Sequence, residues 1–167
     1  MSCKVQYCCE WDPCASDSSD SSDCESSDSC CQPNCHSDGN EIKLEFKACL
    51  NGLSEVPPAG SSATGCFTAT LSTGSTRLDF ELRTFGLTNI VAAHFHDGLP
   101  GVNGPIVKNI AINPTTGNAI GTWSKSDVTQ PLTDALLNKL INGQLYVNVH
   151  TTQFPGGEIR GQVLVNC

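Results

Sequence analysis

Three of the four histidines in this 167-residue chain occur in two short segments that could together bind one metal ion. His94 and His96 lie two residues apart in AHFHDG, and His150 lies in YVNVHTTQF. Imidazole nitrogens are good ligands for copper and zinc, and three of them with an open coordination position form a common type of site. If the two segments are neighbours in the fold, the sequence predicts a copper or zinc site at these three residues.

Alternation of apolar and polar residues indicates the direction in which these histidines point. Successive side chains of a strand point to opposite faces, so residues two apart share a face. In the first segment the predicted core-facing set is Val91, Ala93 and Phe95. In the second it is Leu145, Val147 and Val149, which leaves Tyr146, Asn148 and His150 on the other side. All three histidines are therefore predicted to lie off the core.

A structural role is the alternative for the three histidines. On a polar strand face the imidazoles would bond to neighbouring groups or loops and organise the edge of the sheet without a metal. Because like charges repel, such a cluster would resist full protonation near pH 6 and could act as a pH-sensitive latch.

Short strands separated by turn residues must position these side chains. The alternating runs predict strands near residues 42–50, 67–71, 78–82, 91–97, 105–111, 118–124, 144–150 and 158–165. One helix is predicted over residues 131–143, with Pro131 near its first turn and Gly143 at its end. About eight short strands at this spacing are typical of an all-β antiparallel sandwich or barrel.

Residues 1–40 differ in composition from the rest of the chain. They contain eight acidic residues and one basic residue, and so carry −7 of the net charge of −8. A serine and aspartate run over residues 15–29 has almost nothing to bury, so it cannot form a core. We therefore expect an irregular cysteine-rich arm over residues 1–40 and a β domain over residues 41–167. The acidic arm and the absence of a basic patch argue against nucleic-acid binding.

The chain contains eleven cysteines, an odd number that cannot all pair within one molecule. The candidate cross-linking residues are Cys3, Cys8, Cys9, Cys14, Cys24, Cys30, Cys31, Cys35, Cys49, Cys66 and Cys167. The arm lacks paired Cys-x-x-Cys zinc spacing, and its two adjacent pairs each point to two different partners. Disulfides between chains, or between arm and body, are favoured over metal–thiolate clusters and reduced thiols. Cys49 and Cys66 could also pair with each other.

No secretory signal and no apolar run of about 18 residues is visible in the sequence, so no membrane span is expected. The density of cysteines nevertheless indicates an oxidising destination. Release by lysis, a leader that was removed, or cysteines that hold metal would reconcile these two observations. We expect an extracellular location or a cell or spore surface.

Five motifs in a fixed order resemble the CHRD domain, the module named from chordin. They are LNGLSEVPP (50–58), AHFHDG (93–98), GVNGPIV (101–107), GQLYVNVHT (143–151) and FPGGEIRGQV (154–163). The resemblance covers about residues 43–165, which is nearly the whole predicted β domain. In the last motif, Glu158 and Arg160 share a strand face and could form an exposed ion pair of little energetic weight.

The CHRD module is also similar, distantly, to Cu/Zn superoxide dismutase. HFH resembles the His-x-His copper ligands of that family, and VNVH resembles its later copper-ligand strand. The resemblance implies a flattened Greek-key β-barrel in which His94, His96 and His150 correspond to three copper ligands. The bridging and zinc-ligand histidines have no counterparts after His96, and Asp97 alone is too little for a zinc site. Dismutase activity is therefore disfavoured, and a protein that is not an enzyme is expected.

VQYCC, residues 5–9, resembles the N-terminal connector of endospore appendage subunits, in which a short arm with two cysteines tethers one subunit to the next. The favoured function is therefore a structural subunit of a disulfide-cross-linked surface layer, spore coat or extracellular filament. Its partners would be other copies of itself, or other surface proteins, linked through the arm. A copper- or zinc-binding module is the alternative, and a superoxide dismutase-type enzyme is the third hypothesis.

Overall fold

The structure is a computed structural model, and it describes residues 43–166. The predictions for the arm, for its eight cysteines and for Cys167 lie outside the described residues. Within residues 43–166, no helix is long and apolar enough to cross a membrane.

Nine strands and one α-helix make up the described part of the chain. The strands are β1 (Leu44–Asn51), β2 (Thr64–Leu71), β3 (Arg77–Phe85), β4 (Ile90–Asp97), β5 (Ile106–Ile110), β6 (Ala119–Ser124), β7 (Leu145–Thr151), β8 (Ile159–Gln162) and β9 (Leu164–Val165). The helix α1 spans Asp134–Ile141. Each predicted strand is present, and the last one is divided in two at the buried residue Val163.

The strands form one antiparallel sheet in the order β5-β4-β7-β8-β1-β2-β3-β6, with β9 paired to β1. The sheet curls so that its two end strands, β5 and β6, approach each other, which makes a nearly closed barrel. Since β3 lies beside β6 and β4 beside β7, the β3–β4 and β6–β7 connections cross the barrel ends in Greek-key fashion. The all-β Greek-key prediction is thus confirmed, in its barrel form.

Aromatic rings from three regions of the sheet fill the barrel. Phe95 of β4 lies 5.4 Å from both Phe67 and Phe80 between ring centroids, and 5.0 Å from Trp123. All four side chains are almost fully buried, and the edge-to-face packing of Phe95 on the two phenylalanines adds to their burial. The interior is therefore a packed core that leaves the outer face of the sheet for any chemistry.

Helix α1 closes the barrel near β9. It begins later than predicted, because Thr133 is its N-cap and accepts a hydrogen bond from the backbone N–H of Leu136. It ends before Gly143, whose φ of +64° suits a glycine beyond a helix. Leu137 and Leu140 are buried against the core.

The prediction that Val91 faces the core is wrong. The β4–β7 register shifts between Ile90 and Ala92, so Ile90 occupies the interior position and Val91 is 56 % exposed. An irregularity of this kind inserts one residue and breaks the alternation locally. Ala93 and Phe95 keep their predicted inward direction.

Two loops cover the outer face of β7 and β8. Arg160 of β8 donates hydrogen bonds from its guanidinium to the carbonyl oxygens of Leu99 and Val102, at 3.1 and 2.9 Å. Asn103 in the same loop donates to the carbonyl of Val56, at 2.7 Å, and so joins the two loops to each other. Polar residues that alternation places outside the barrel are therefore buried beneath loops.

Candidate metal centre

The structure brings the three predicted histidines together. Strands β4 and β7 are antiparallel neighbours, with His94 opposite Asn148 and His96 opposite Tyr146. His150 lies two residues beyond Asn148 on the same face of β7, so it stands diagonally from His94. The strand adjacency on which the predicted site depends is confirmed.

The ring nitrogens of the cluster converge. Nδ1 of His94 lies 3.1 Å from Nε2 of His150. One ring nitrogen from each of His94, His96 and His150 lies within 4.8 Å of those of the other two. Because a bound copper or zinc ion stands about 2 Å from each nitrogen, its ligands lie roughly 3.5 Å apart. Small rotations of the rings would bring the three nitrogens to that spacing.

His96 is held in the tautomer that a metal ligand requires. Its Nδ1 lies 2.8 Å from the carbonyl oxygen of Gly104, which can only accept a hydrogen bond, so Nδ1 carries the proton. The lone pair is then on Nε2, which is buried and has no hydrogen-bond partner among residues 43–166. A metal-ligating histidine commonly donates its second ring N–H to a carbonyl in this manner.

His150 shows the same arrangement on the other strand. Its Nδ1 lies 2.9 Å from the carbonyl oxygen of Pro155, and its Nε2 lies 3.0 Å from Oδ1 of Asn148. A neutral imidazole has one N–H and cannot donate to both oxygens. If Nδ1 donates to Pro155, the lone pair of Nε2 faces the centre of the cluster. The site therefore gathers more lone pairs than protons, which favours a cation there.

The surroundings favour neutral imidazoles. Burial, with the neighbouring rings of His150 and His96 acting in the same direction, lowers the pKa of His94 to about 4. Burial also lowers the pKa of His96, against the opposing effect of its bond to the Gly104 carbonyl. Since metal binding requires deprotonated nitrogens, both rings are ready to bind near neutral pH.

A stack of three groups lies behind His96. The ring of Tyr146 is parallel to that of His96 within 5°, at 4.7 Å between centroids. The guanidinium carbon of Arg160 lies 3.5 Å from the centre of the same Tyr146 ring. Because β4 and β8 flank β7 on opposite sides, Tyr146 separates the histidine from the arginine. The sequence places Tyr146 on the outer face, but nothing in it predicts the stack of Tyr146 with Arg160.

The predicted exposed pair of Glu158 and Arg160 is wrong. Glu158 is 8 % exposed and Arg160 is 2 % exposed, because the two loops cover them. Glu158 accepts hydrogen bonds from Ser61 and Thr151, at 2.7 and 2.5 Å. Arg160 bonds to the loop carbonyls and to Asn103, at 3.1 Å. Alternation gives the face of a residue but does not reveal a loop that folds over that face.

A second buried carboxyl lies near the cluster. Glu55 is 5 % exposed, and burial raises its pKa to about 7 in spite of the attraction of Arg160 and a hydrogen bond to Asn148. Asn148 thus lies between this carboxyl and His150. The sequence contains Glu55 in the EVPPAG segment, but nothing in that pattern indicates that it packs beside β7.

A dismutase-type centre would need metal ligands in addition to the three histidines. Among the described residues, no other histidine is present, and Asp97 forms an ion pair with Lys139 of α1. A second metal site next to the cluster therefore has no donor set in this part of the chain.

The two described cysteines lie away from the histidines. Cys49 of β1 and Cys66 of β2 stand directly opposite each other, and both are partly exposed on the outer face. In the strand order β2 lies four positions from β4, on the other side of the barrel. The cysteines and the histidines therefore belong to separate surfaces.

Comparison with known families gives one match. The model of the CHRD domain matches residues 46–163, which include all the strands except the first residues of β1 and the short β9. No curated protein and no solved structure matches the chain.

Proposed function

The chain belongs to the CHRD domain family, and from this premise we propose that its barrel binds one copper or zinc ion through His94, His96 and His150. The observation that supports the proposal most directly is the buried Nε2 of His96, which has no hydrogen-bond partner among the described residues. An unpartnered polar atom of this kind costs stability unless a ligand satisfies it. A metal ion would satisfy it together with the lone pair of His150.

Each ligand would have a distinct support. The carbonyl of Gly104 holds the N–H of His96 and so fixes the direction of its lone pair, and the carbonyl of Pro155 would hold the N–H of His150 in the same way when its proton is on Nδ1. His94 is more exposed than the other two and approaches His150 to 3.1 Å between ring nitrogens, so its ring can close the site. A bound copper ion would supply one-electron chemistry or Lewis acidity, whereas zinc would supply Lewis acidity alone.

The test compares metal content in proteins that differ only at the cluster. Full-length protein is reduced, alkylated at its cysteines, freed of metal, incubated with copper or zinc, and separated from unbound ions. Elemental analysis should find about one ion more in the wild type than in the triple variant His94→Ala, His96→Ala, His150→Ala. His36→Ala, which removes the histidine in the arm over residues 1–40, serves as the matched control and should bind as the wild type does. Equal metal content in wild type and triple variant would refute the proposal.

Covalent assembly at a cell or spore surface is the second function, and the distribution of cysteines supports it. Eight of the eleven cysteines are in residues 1–40, and Cys49 and Cys66 are partly exposed on the barrel. An arm of this composition would link copies of the chain, or link it to other surface proteins, where conditions are oxidising. The arm would then link the protein to other molecules, and the barrel would bind the metal ion.

A gel without reductant tests this second proposal. Protein isolated with its thiols trapped should give a ladder that collapses on reduction to the 17.7 kDa chain. Replacing the eight arm cysteines by serine should abolish the ladder and leave metal binding at the histidine cluster intact. A single monomer band from the native source without reductant would contradict covalent assembly.

A further inference from the structure

We propose that the cleft between the loops of residues 55–60 and 153–157, the loop cleft, binds a small alkylammonium group with the carboxylate of Glu55 as its partner. This site is separate from the histidine cluster, and it needs no ion at the histidines. Three features of the described residues support it: the apolar walls of the cleft, the unpartnered oxygen of Glu55, and the lack of a side chain at Gly157.

The loop cleft has the size and the walls of a site for a small ligand. Its volume is about 280 Å³, and it is open to solvent. Pockets that hold drug-sized molecules measure roughly 300–1,000 Å³, so a ligand of this cleft is smaller than those. Apolar side chains form much of its wall: Val56, Pro57, Pro58, Ala59, Phe154 and Pro155. A ligand that fits the cleft therefore carries an apolar body.

Glu55 supplies the charge of the loop cleft. Among the described residues that line the cleft, it is the only one with an ionisable side chain. Its Oε1 is buried and has no hydrogen-bond partner among residues 43–166. By contrast Glu158, a second buried carboxyl of the outer face, has both oxygens bonded, one by Ser61 and one by Thr151. Because a buried acceptor without a partner costs stability, a donor that reaches Oε1 of Glu55 would recover that cost.

The donor that suits this carboxyl best is a cation. Burial raises the pKa of Glu55 to about 7, because the carboxylate form has lost the stabilisation that water gives it. Arg160 attracts the carboxyl, but its guanidinium donates hydrogen bonds to Leu99, Val102 and Asn103. It thus offsets part of the charge without bonding to Oε1. An ammonium group would supply both a positive charge and an N–H, and such charge-assisted hydrogen bonds are about twice as strong as neutral ones.

No side chain separates Glu55 from the loop cleft at Gly157. A Cβ at this position would overlap Oε1 of Glu55, so any other residue would displace the carboxyl or cover it. The last torsion of a glutamate side chain, χ3, has a broad distribution, so rotation about it can turn either oxygen towards the cleft. The ammonium group would bind to the carboxylate there, and its alkyl chain would lie against Phe154 and the prolines.

The experiment titrates metal-free, full-length protein, alkylated at its cysteines, with n-butylammonium chloride at pH 8, above the pKa of Glu55. Binding is followed by the ¹³C-methyl NMR signals of Val56 and Ala59, which line the cleft. We expect these signals to shift and to saturate. The uncharged isostere n-butanol should bind at least tenfold more weakly, because it lacks the charge. Methylammonium should also bind at least tenfold more weakly, because it leaves the apolar walls exposed to water.

Two variants test the role of Glu55. Glu55→Gln keeps the shape of the side chain and removes its charge, so it should weaken n-butylammonium binding at least tenfold and leave n-butanol binding unchanged. Glu45→Gln removes the same charge at an exposed position of β1, and it should bind n-butylammonium as the wild type does. If Glu55→Gln does not fold, the comparison of n-butylammonium with n-butanol on the wild type still decides whether the cleft recognises a charge.

A third probe, N-acetyl-lysine N-methylamide, distinguishes two sources of the ammonium group. If it binds as tightly as n-butylammonium, lysine side chains of a partner protein fit the cleft. If n-butylammonium binds and this probe does not, the ligand is a free amine, and both results support the proposal. Equal binding of n-butylammonium and n-butanol, equal binding of n-butylammonium by the wild type and Glu55→Gln, or no saturable shift with any probe would overturn it. Metal binding at the histidines would stand in each case, because the protein is titrated without metal.

Discussion

The two faces of strand β4 are held by different kinds of contact. Its inner face places Ala93 and Phe95 in an apolar core whose contacts are non-directional and exchange one hydrocarbon surface for another. Its outer face carries His94 and His96, whose ring nitrogens each need a partner in a specified direction. The inner face therefore determines whether the barrel folds, and the outer face determines what the folded barrel can bind.

Stability and function can therefore be separated by the face on which a residue lies. An apolar residue inside the barrel contributes through its buried area, and its loss affects every element that packs on it. A histidine on the outer face contributes little to the core, because its ring lies outside the barrel. Substitutions on the inner face should therefore change the free energy of unfolding, and substitutions on the outer face should change metal affinity.

The largest effect is expected for Phe95→Ala. The ring contacts Phe67, Phe80 and Trp123, so its removal leaves a cavity in the centre of the barrel. Such truncations lower the free energy of unfolding by about 3–5 kcal/mol, which urea denaturation of the metal-free protein can measure. The remaining folded protein should still bind one ion. A folded Phe95→Ala protein without metal affinity would show that the two faces are coupled.

The next effect is expected at a glycine of the loop that orients His96. A Cβ at Gly104 would overlap the backbone carbonyl oxygen of Asp97, so Gly104→Ala must displace the loop whose carbonyl accepts from His96. We expect a loss of metal affinity of at least tenfold together with a loss of stability of about 2 kcal/mol. Gly60→Ala is the matched control, because a Cβ there meets no atom within 4 Å. Equal behaviour of the two variants would contradict the role given to the Gly104 loop.

The third effect is the stabilisation of the barrel by its ion. A ligand that binds only the folded state at one hundred times its dissociation constant raises the free energy of unfolding by about 2.7 kcal/mol. Wild-type protein should show this increase when copper or zinc is added, and His94→Ala should not. Without metal, His94→Ala should change stability by less than about 1 kcal/mol, since the ring is half-exposed and outside the core. A large loss of stability in the metal-free variant would instead support the structural role of the cluster.

The same contrast explains what could be predicted from the sequence. Alternation and turn residues gave every strand, the helix and the outward direction of His94, His96 and His150, because periodicity reports burial directly. The register shift that turns Val91 outwards was not predicted, because it depends on pairing with β7. The pairing of β4 with β7 also brings the histidines together. The sequence alone does not show that these two strands are neighbours, so the site could be predicted only on that condition.

The partners of the outer face could not be predicted, because they come from loops whose path over the sheet the strand pattern does not specify. The carbonyl of Gly104 is eight residues from His96, and Arg160 bonds to a loop about sixty residues away. The glycines of GVNGPIV, as in Gly104, were visible as turn residues, but nothing in the motif indicates that a carbonyl there faces a histidine. Loop closure thus turned an expected exposed pair, Glu158 and Arg160, into two separately bonded buried groups.

The smallest effect concerns the buried carboxyl of Glu55, whose pKa is raised by burial from 4.5 to about 7. The folded state therefore binds this proton more tightly than the unfolded chain does. Its contribution to stability is complete below pH 4.5 and is lost as the pH rises to about 7, so Glu55 should make the metal-free barrel less stable at pH 8 than at pH 5. We expect about 1–2 kcal/mol, part of the roughly 3 kcal/mol that a shift of this size carries.

Glu55→Gln should remove this component of the pH dependence, because an amide does not ionise. His94 has the opposite effect: its lowered pKa stabilises the folded state above pH 6.5, and this stabilisation is lost as the pH falls towards 4. The effect of His94 is the same in the wild type and in Glu55→Gln, so it cancels in their difference. Glu45→Gln, at an exposed position of β1, is the control and should follow the wild type at every pH. Suppose that Glu55→Gln and Glu45→Gln change the free energy of unfolding by the same amount, relative to the wild type, between pH 5 and 8. The pKa of Glu55 is then not raised by its burial. If only Glu55→Gln differs, the loops that bury the outer face alter the chemistry of the residues beneath them, which the apolar interior cannot do.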